Sequence, residues 1–577
     1  MPYFNNSTFG NIPSLWKLHP DIDLQLLKSS IEKLIDIHVE LKSFIYKSKE
    51  DDQFKNYRND DLKVDIPIKK LTSNEWMHEK ENLVKPFHCI ENEPLYHISI
   101  YEVENNENYL FFDVSHMISD GYSIKILIKE LNDIFSGKDV KPKSHTAFEY
   151  VLKEKNVNIK EKIMKKMNYI NQILDGYSVR DNAFVLRNAY NTSDIDYNGK
   201  MEGELSKINF NQLKQFCKDN HVSENVLFST AFTQALNIYE NTNDTVIYSM
   251  YNGRLDKEFD RAMGFFAYDY SLRYKEIENE TVLQSLHRMG KQILESISYE
   301  YNVPNLNAVS FQYQTDIHNT TSFDNKPITK IPLKRRPSLI QFAIFYINNN
   351  FHYNIMYWNN IFDGQQLTTF IHIVEDIVVA MVNETKYMKD LKLKISDEYI
   401  TTKCTTTISQ LNEVIGRTFI EDEKETNTHI NAYILRNQFE KQVIGGWGDL
   451  YLEENENGII KEVCKESIPN PFGEGKLYKT GYTGKFLPDG SINILENDCR
   501  YIMTDINNYT NINNIEKTLN EYEGIDKATT EYKFDKNKFK LISHIYGKQE
   551  PDMTLLNEYL KTKLDPKLIP TEIIFHS

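Results

Sequence analysis

The segment from Tyr109 to Phe135 constrains the fold more than any other part of the sequence. Its first residues, Tyr109 to Val114, form a short apolar run that ends in a polar turn, as is typical of a buried strand. After Gly121 an apolar stripe recurs at helical spacing. The stripe consists of Ile124, Leu127, Ile128, Leu131 and Phe135, and Gly137 beyond it is a plausible helix stop. A strand followed at once by an amphipathic helix predicts a mixed α/β architecture.

The turn between this strand and this helix carries residues suited to chemistry. His116 has a side chain whose ordinary pKa lies near neutrality, so it could take a proton from an attacking amine or alcohol. Asp120 could accept hydrogen bonds or pair with a cation, and Gly121 permits a backbone conformation or a close approach that a Cβ would block. On these residues alone, a strand end followed by an ordinary surface turn is the favoured interpretation.

The chain is organised as several units, because 577 residues are too many for one hydrophobic core. Helical and strand patterns alternate through the first two-thirds and predict two α/β units followed by a smaller α+β region. A stretch poor in pattern, Asn302 to Pro337, is predicted to be a long excursion. A Thr-rich run, Lys403 to Gln410, predicts a structureless domain linker. The predicted boundaries are 1–150 and 151–396 for the two units, 397–411 for the linker and 412–577 for the last region.

Charge and composition argue against several classes of function. The formal net charge of −16 argues against a nucleic-acid partner, whose phosphates would be repelled. The apolar stretch Ile373 to Val382 is far shorter than the roughly 18 residues of a membrane span and carries two acidic residues, so it predicts a buried helix. The five cysteines form no CxxC pair, so neither a disulfide framework nor a metal site is expected. The N-terminus lacks the features of a secretory signal, and a cytoplasmic protein is predicted.

The segment around His116 resembles a known family motif. The string FFDVSHMISDGYSIKILIKEL is similar to the core motif of nonribosomal peptide synthetase condensation domains, usually written HHxxxDG, with the same flanking strand and helix. The wider superfamily includes chloramphenicol acetyltransferase and transfers acyl groups from thioesters. Further segments resemble the family in the same order, over about residues 10–396. They are IHVELKS (37–43), KPFH (85–88), NGR (252–254), MGFFAY (263–268) and MYWNNIFDGQQLTTF (356–370).

This resemblance implies a fold, partners and residue roles. Two acetyltransferase-like lobes form a V, and a tunnel between them receives the phosphopantetheine arms of carrier proteins. His116 corresponds to the second histidine and would orient or deprotonate the nucleophile, while Asp120 would be structural and paired with Arg254. Gly121 would keep the tunnel wall low for the acyl-pantetheine arm. No cofactor would be bound by the chain itself, and its partners would be acyl or peptidyl carrier proteins in trans and other synthetase modules.

The chain departs from the family pattern at several positions. Ser115 replaces the first histidine of the motif, which generally has a supporting role. The family's VNT stretch is replaced by Ala267-Tyr268-Asp269, which would change the tunnel. Three further replacements would remove a polar network that braces the loop: Ile37 for Arg, Val39 for Glu and Lys42 for Arg. These departures predict an activity that is either specialised or fading.

Residues from about 412 onward resemble a second family, the adenylation domains of the same synthetases. The strings NAYILRNQFEKQVIGGWGDLYL (431–452) and KLYKTGYTGKFLPDGSINIL (476–495) carry this resemblance. Tyr482 stands where that family has the aspartate that holds the ATP ribose, and the sequence ends at Ser577 before the usual catalytic lysine. The phosphate-binding loop has no counterpart between 397 and 411. The resemblance therefore implies a degenerate remnant without adenylation activity, serving docking or stability.

The leading hypothesis is a free-standing condensation-type acyltransferase. It would join an acyl or peptidyl group on a carrier thioester to an amine and so form an amide. Ester formation with an alcohol acceptor stays open, because the same histidine could serve either nucleophile. A third hypothesis is a catalytically inactive scaffold that binds carriers or synthetase modules, motivated by Ser115 and by the degenerate tail.

Overall fold

A computed structural model describes most of the chain. The described residues are 8–62, 65–154, 159–177, 199–299, 309–314, 322–331, 333, 340–359, 362–383, 385–400, 403–415, 429–435, 441–453, 460, 464, 466–495, 501–505, 508–511, 513–535, 538–564 and 568–576.

The first part of the chain contributes four strands to a five-stranded sheet that has helices packed on both of its faces. Its elements are β1 (Asn11–Leu18), α1 (Leu24–Ile37), β2 (Ser43–Lys47), β3 (Phe54–Arg58), β4 (Ile68–Leu71), α2 (Ser73–Glu81), β5 (Tyr96–Val103), β6 (Glu107–Ser115), α3 (Gly121–Phe135), α4 (Ala147–Glu154) and α5 (Ile159–Leu174). Strand β6 is central, between β1 and β5, and pairs antiparallel with both. The apolar stripe predicted for α3 lies in one buried core together with the apolar face of α1, which has the same helical spacing: Leu27, Ile31, Leu34 and Ile35.

The second part of the chain forms a six-stranded sheet in the order β7-β15-β14-β10-β8-β9. Its elements are β7 (Gly199–Glu204), α6 (Phe210–Asp219), α7 (Glu224–Tyr239), β8 (Asp244–Tyr251), β9 (Tyr268–Lys275), α8 (Val282–Ser298), β10 (Val309–Gln314), β11 (Ser322–Phe323), β12 (Lys326–Pro327), β13 (Thr329–Ile331), β14 (Ile340–Ile347), β15 (Asn350–Tyr357), α9 (Gly364–Val382) and α10 (Met388–Tyr399). Helix α9 is long and apolar enough to cross a membrane by composition, but most of it is buried, as in the core helix of a soluble protein.

The excursion predicted from Asn302 to Pro337 contains strands that return to the first sheet. Strand β13 pairs antiparallel with β1, so that Leu15 lies opposite Ile331. Phe323 of β11 is buried in the core beneath α1 and α3. The two sheets are therefore linked by a chain crossing in addition to their sequential connection.

The last part of the chain forms smaller sheets. Its elements are β16 (Cys404–Thr407), α11 (Ile408–Ile415), β17 (His429–Leu435), β18 (Gly448–Glu453), β19 (Ser467–Pro469), β20 (Lys476–Phe486), β21 (Ile492–Leu495), β22 (Tyr501–Asp505), β23 (Asn508–Asn511), α12 (Asn513–Asn520), β24 (Lys527–Asp535), β25 (Lys538–Tyr546), α13 (Met553–Lys563) and β26 (Glu572–His576). Strands β16, β17, β18, β20, β19 and β21 share one sheet, and β24, β25 and β26 share another.

The segment 397–411, predicted as a structureless linker, contains regular elements. They are the end of α10, the strand β16 and the start of α11. The threonines there are β-branched and suit a strand, and β16 pairs antiparallel with β17. Ile408 and Leu411 are buried in the core of the following sheet. The prediction failed because a Thr-rich run was treated as a loop signal although its side chains favour an edge strand.

The last part of the chain is fastened to α9 by buried contacts. Lys485 of β20 forms an ion pair with Asp363, the residue that caps the N-terminus of α9, and its ammonium lies 4.8 Å from the centre of the Trp447 ring. The backbone N–H of Ile444 donates to the carbonyl of Tyr399 at 2.9 Å. A charge buried to this degree requires a partner, so this contact fixes the orientation of the two parts locally.

Candidate active site

His116 lies at the carboxyl end of the central strand β6, directly before α3. Its backbone N–H donates to the carbonyl of Gly10 at 2.7 Å, and that of Ser115 donates to the carbonyl of Leu95 at 2.9 Å. The turn is thereby anchored to the chain on both sides of β6. The sequence-predicted strand, turn and helix are all present at this point.

The imidazole of His116 is held in one orientation. Its Nδ1 lies 3.1 Å from the carbonyl oxygen of Ser119, which can only accept a hydrogen bond, so Nδ1 carries the proton in the neutral ring. The lone pair of the neutral ring is then on Nε2. The ring also meets the exposed Phe265 edge-on, with centroids 5.2 Å apart. The side chain is half-buried, so this geometry leaves a histidine that can accept a proton at Nε2.

Asp120 is a fully buried carboxylate, and both of its oxygens accept several hydrogen bonds. It caps the N-terminus of α3, where its Oδ1 accepts from the backbone N–H and the hydroxyl of Ser123 at 2.7 and 2.8 Å. Its Oδ2 accepts from the backbone N–H groups of Phe266 and Ala267, both at 3.1 Å. Both oxygens also accept from Arg254, so this buried carboxylate has no capacity left for a reactant.

The ion pair between Asp120 and Arg254 joins segments 134 residues apart. The guanidinium lies 2.9 and 3.2 Å from the two carboxylate oxygens, which is the bidentate arrangement that arginine favours. Both side chains are about 1% exposed. The guanidinium also lies between the rings of Tyr122 and Phe266, at 4.8 and 4.5 Å from their centres. The pairing that the sequence resemblance implies is present.

The backbone beside Arg254 requires a glycine. Gly253 has φ +70°, in the left-handed region, and a Cβ added there would lie 1.8 Å from the carbonyl oxygen of Phe266. The Asn252-Gly253-Arg254 turn is thus packed directly against the segment whose amides hold Asp120. The turn that carries Arg254 and the segment that contains Phe266 are therefore held close together beside Asp120.

Gly121 does not have the backbone role expected from the sequence. It is the first residue of α3, its φ lies outside the left-handed region, and a Cβ added there would meet nothing within 4 Å. Neither conformation nor internal packing therefore requires glycine at this position. The other role predicted for Gly121, a low tunnel wall along which the acyl-pantetheine arm passes, stays a prediction.

Replacing Gly121 with valine separates these two explanations. We expect thermal stability to stay close to that of the wild type, because the methyl groups introduced by Gly121→Val would point into open space. Turnover should fall by about tenfold or more if an acyl chain must pass within van der Waals distance of this residue. Steady-state kinetics with differential scanning fluorimetry make the test, with Gly137→Val, at a helix end with φ +79°, as the strained control. Unchanged turnover in Gly121→Val would contradict a substrate path here.

Ser115, which replaces the first histidine of the family motif, is built into the turn. Its side chain is buried, and its Oγ accepts from the backbone N–H of Met117 at 3.3 Å. Its carbonyl accepts from the hydroxyl of Ser119 at 2.9 Å. Ser115 therefore links three residues of the turn around His116 by hydrogen bonds.

A buried polar cluster behind α3 was not foreseen from the sequence. His38, at the end of α1, contacts Glu130 of α3 through Nε2 at 3.0 Å, and both side chains are almost fully buried. Burial alone would raise the pKa of Glu130, but hydrogen bonds from His38 and Lys143 outweigh it and lower that pKa to about 2. Arg261 adds a further contact at 2.9 Å.

Residues beside Ile37, Val39 and Lys42, where the loss of a bracing network was expected, form polar contacts of their own. The cluster centred on Glu130 links α1 and α3, and Glu40 accepts from the backbone N–H of Ala147 at 2.9 Å. Burial raises the pKa of Glu40. One sequence signal could have revealed this cluster. Glu130 lies three residues after Leu127 and therefore on the same side of α3 as the apolar stripe, where a charged residue needs a partner.

Metal ligands are not gathered anywhere in the described ranges: no group of three or more His, Cys, Asp or Glu side chains there could hold a metal ion. Two further features of the sequence lie outside the described residues. They are the short basic run Lys334-Arg335-Arg336 and Cys499, one of the five cysteines.

Comparison with known proteins decides the family. A model of the condensation domain matches residues 3–398, which is well over half of the chain. The chain belongs to the condensation domain family. The His116 turn, the Arg254 turn and both large sheets all lie within the matched range.

Curated relatives of this condensation domain chain are large synthetases. Bacitracin synthase 3 of Bacillus licheniformis is 26% identical over 301 residues, which are 51% of this chain and 5% of that protein. Gramicidin S synthase 2 of Brevibacillus brevis is 20% identical over 400 residues, 64% of this chain and 9% of that protein. The chain thus spans a small fraction of the length of these relatives.

Solved structures share the fold at low sequence identity. A four-domain nonribosomal peptide synthetase in its holo form, bound to AMP and glycine, superposes with a TM-score of 0.67 at 12% identity, covering 99% of this chain and 69% of that one. The condensation domain of the monacolin K polyketide synthase gives 0.54 at 12% identity, covering 66% and 94%. The epimerization domain of tyrocidine synthetase B gives 0.51 at 14% identity, covering 68% and 93%. These likenesses concern the fold alone, since domains with different activities share it.

Proposed function

We propose that this chain is an acyltransferase that joins a carrier-bound acyl or peptidyl thioester to an amine. The observation that carries the proposal is His116, a half-buried imidazole with its proton on Nδ1, at the end of β6 within a family whose domains act in peptide synthesis. The carrier proteins would act in trans, and the chain would work with other synthetase modules in the cytoplasm. The V arrangement of two lobes with a tunnel between them belongs to the same proposal.

In the proposed step the acceptor amine attacks the carbonyl carbon of the thioester. A C–N bond forms and the C–S bond breaks, while Nε2 of His116 takes the proton that the amine loses and passes it to the departing thiolate. A thioester carbonyl needs little activation, so holding both reactants close supplies much of the rate. Asp120 and Arg254 keep the turn in place and take no part in proton transfer.

Formation of an ester by an alcohol acceptor is the alternative within the same chemistry. His116 could accept the proton of a hydroxyl as well as that of an amine. A direct competition tests the choice, with an amine and an alcohol of matched carbon skeleton offered together to one acyl-pantetheine thioester. We expect the amide as the main product by liquid chromatography with mass spectrometry. Ester as the main product would move the assignment to the alcohol.

A scaffold without catalysis is favoured by one observation, the replacement of a motif histidine by Ser115. A solved X-domain that shares this fold, with a TM-score of 0.52 at 14% identity, is described in complex with OxyB. A domain of this fold can thus serve as a partner surface. The scaffold hypothesis predicts carrier binding that is unchanged by His116→Ala, together with no product from any thioester donor.

For the last part of the chain we propose an adenylation-domain remnant that has a structural use. Tyr482, where that family has its ribose-binding aspartate, packs against the buried core of the sheet that contains β20. Lys485 of the same strand forms an ion pair with Asp363, the residue that caps the N-terminus of α9. Both residues support the sheet and its docking, which fits a remnant without ATP chemistry.

A further inference from the structure

One face of the second sheet is open next to the His116 turn, and Asp269 lies on it. On β9 the hydroxyl of Tyr268 donates to the carbonyl of Ile297 in α8 at 2.7 Å, and Tyr270 is buried in the core beneath α7 and α8. Side chains alternate between the faces of a strand. Asp269, between these two tyrosines, therefore points away from the helices.

The strand register places an exposed apolar side chain beside Asp269. Met250 of β8 is its direct cross-strand partner and is 46% exposed, which is unusual for a large apolar side chain on an inner strand. The Sδ of Met250 lies 3.9 Å from the side-chain nitrogen of Gln312 on β10. Asp269 and Met250 thus form one exposed surface, bordered by the buried Gln312 and here called the Asp269 surface.

The far end of the same sheet face is covered by α5. Tyr169 of α5 and Val246 of β8 are buried together there. Arg273 of β9 donates to the carbonyls of Ile173 and Asp175 at 2.6 and 2.8 Å and closes that end. The uncovered end of the face, with Asp269, is therefore the end nearer the His116 turn.

The Asp269 surface is close to the reacting residue. Ala267, two residues before Asp269, donates its backbone N–H to Asp120, and two extended residues span at most about 7 Å. Phe265, whose ring contacts that of His116, is four residues away, or about 14 Å at full extension. A substrate with one end at His116 can therefore reach the carboxylate with its other end.

The carboxylate of Asp269 is crowded although it remains open to solvent. Its side chain is exposed, yet burial raises its pKa above the ordinary value. Exposure to solvent and a pKa raised by burial occur together when a side chain lies inside a concave surface. Among the residues that the structure describes, none forms an ion pair with this carboxylate or donates a hydrogen bond to it. A partly desolvated carboxylate without a partner is stabilised by a ligand of opposite charge.

We propose that Asp269 binds a protonated amino group carried by a substrate of the acyl transfer, apart from any amine that reacts. This inference rests on the proposed function. The reacting amine must be neutral to attack a carbonyl, so the cation at Asp269 is a second, basic group, such as that of a lysine-like side chain. The acceptor and the acyl donor are both possible carriers of this group, and the same chemistry recognises it in either.

Paired substrates with and without the cation test this inference. The acceptor pair is lysine methyl ester and norleucine methyl ester, used with an acetyl-pantetheine thioester. The donor pair is Nα-acetyl-lysyl- and Nα-acetyl-norleucyl-pantetheine, used with a neutral acceptor amine. For one of the two pairs we expect wild-type kcat/KM to favour the lysyl member by about tenfold or more, since hydrogen bonds to charged groups are strong. The pair that shows the preference identifies the carrier of the cation.

Variants of Asp269 make the assignment specific. Asp269→Asn should bring the ratio of lysyl to norleucyl kcat/KM close to one, and Asp269→Lys should favour a glutamyl substrate over the lysyl one. Glu278→Gln is the matched control, because Glu278 is an exposed carboxylate beyond the end of β9 and should keep the wild-type ratio. Two results would overturn this inference and leave the proposed function standing. In the first, the wild type forms product but shows no preference for the lysyl substrate; in the second, the preference persists in Asp269→Asn. Absence of product from every substrate overturns the proposed function, and the inference falls with it.

Discussion

Replacing Asp120 with alanine should lower the free energy of unfolding by about 3–5 kcal/mol. The replacement leaves the guanidinium of Arg254 buried, between two aromatic rings and without a counter-charge. It also removes the N-terminal cap of α3 and the acceptor for the amides of Phe266 and Ala267. Urea denaturation followed by tryptophan fluorescence measures the loss, since Trp16, Trp76 and Trp358 are buried in the two large units.

Two comparisons make this result specific to the ion pair. The double variant Asp120→Ala, Arg254→Ala should cost less than the sum of the two single variants, because the second change removes the unpaired charge. Glu102→Ala breaks an exposed pair with Lys70 and should cost about 1 kcal/mol or less. If Asp120→Ala cannot be purified folded, Asp120→Asn keeps the size of the side chain while it removes the charge and replaces one accepting oxygen with an NH2 donor, so a large loss is expected from it as well. A loss as small as that of Glu102→Ala would show that the pair does not hold the turn.

Replacing His116 with alanine should lower turnover by about 10²-fold or more while stability changes little. The imidazole is half-buried, and its contacts include a hydrogen bond to Ser119 and a ring contact to Phe265. Neither contact anchors a core. The loss should therefore lie in kcat, because the group that accepts the amine proton is removed and the substrate path is left intact.

The matched control for this variant is another histidine on the same part of the chain. His145 is partly exposed and also meets a phenylalanine ring edge-on, at 5.7 Å from Phe259. His145→Ala should keep turnover within about twofold of the wild type, because the described contacts of His145 are with Ser144, Glu258 and Phe259 and include no residue of the His116 turn. Equal losses in both variants would indicate a general effect of removing a surface ring, and near-full turnover in His116→Ala would contradict the proposed mechanism.

Local patterns predicted the elements around the site correctly. The alternation before Ser115 and the stripe after Gly121 gave a strand and a helix where β6 and α3 lie. Such signals depend on neighbouring residues, and the periodicity of a strand or helix is visible in a short window. The Asp120–Arg254 pair was accessible only through the family resemblance, because 134 residues separate the two side chains.

Features that depend on distant parts of the chain escaped the sequence. The return of β13 to pair with β1 joins residues more than 300 positions apart, and no local pattern encodes such a partner. The contact between His38 and Glu130 likewise joins two helices. For Gly121 the failure had another cause: a backbone conformation or a close approach that a Cβ would block was expected, whereas the structure shows the first residue of a helix with open space around it.

The most direct test of the central claim is intact-mass spectrometry of a carrier protein loaded with an acyl group and incubated with this chain and a panel of amines. The account predicts that the wild-type chain releases an amide and leaves the carrier with a free phosphopantetheine thiol, and that His116→Ala leaves the carrier acylated over the same time. A carrier that binds the chain but stays acylated with the wild type and every acceptor would contradict the account and favour a scaffold.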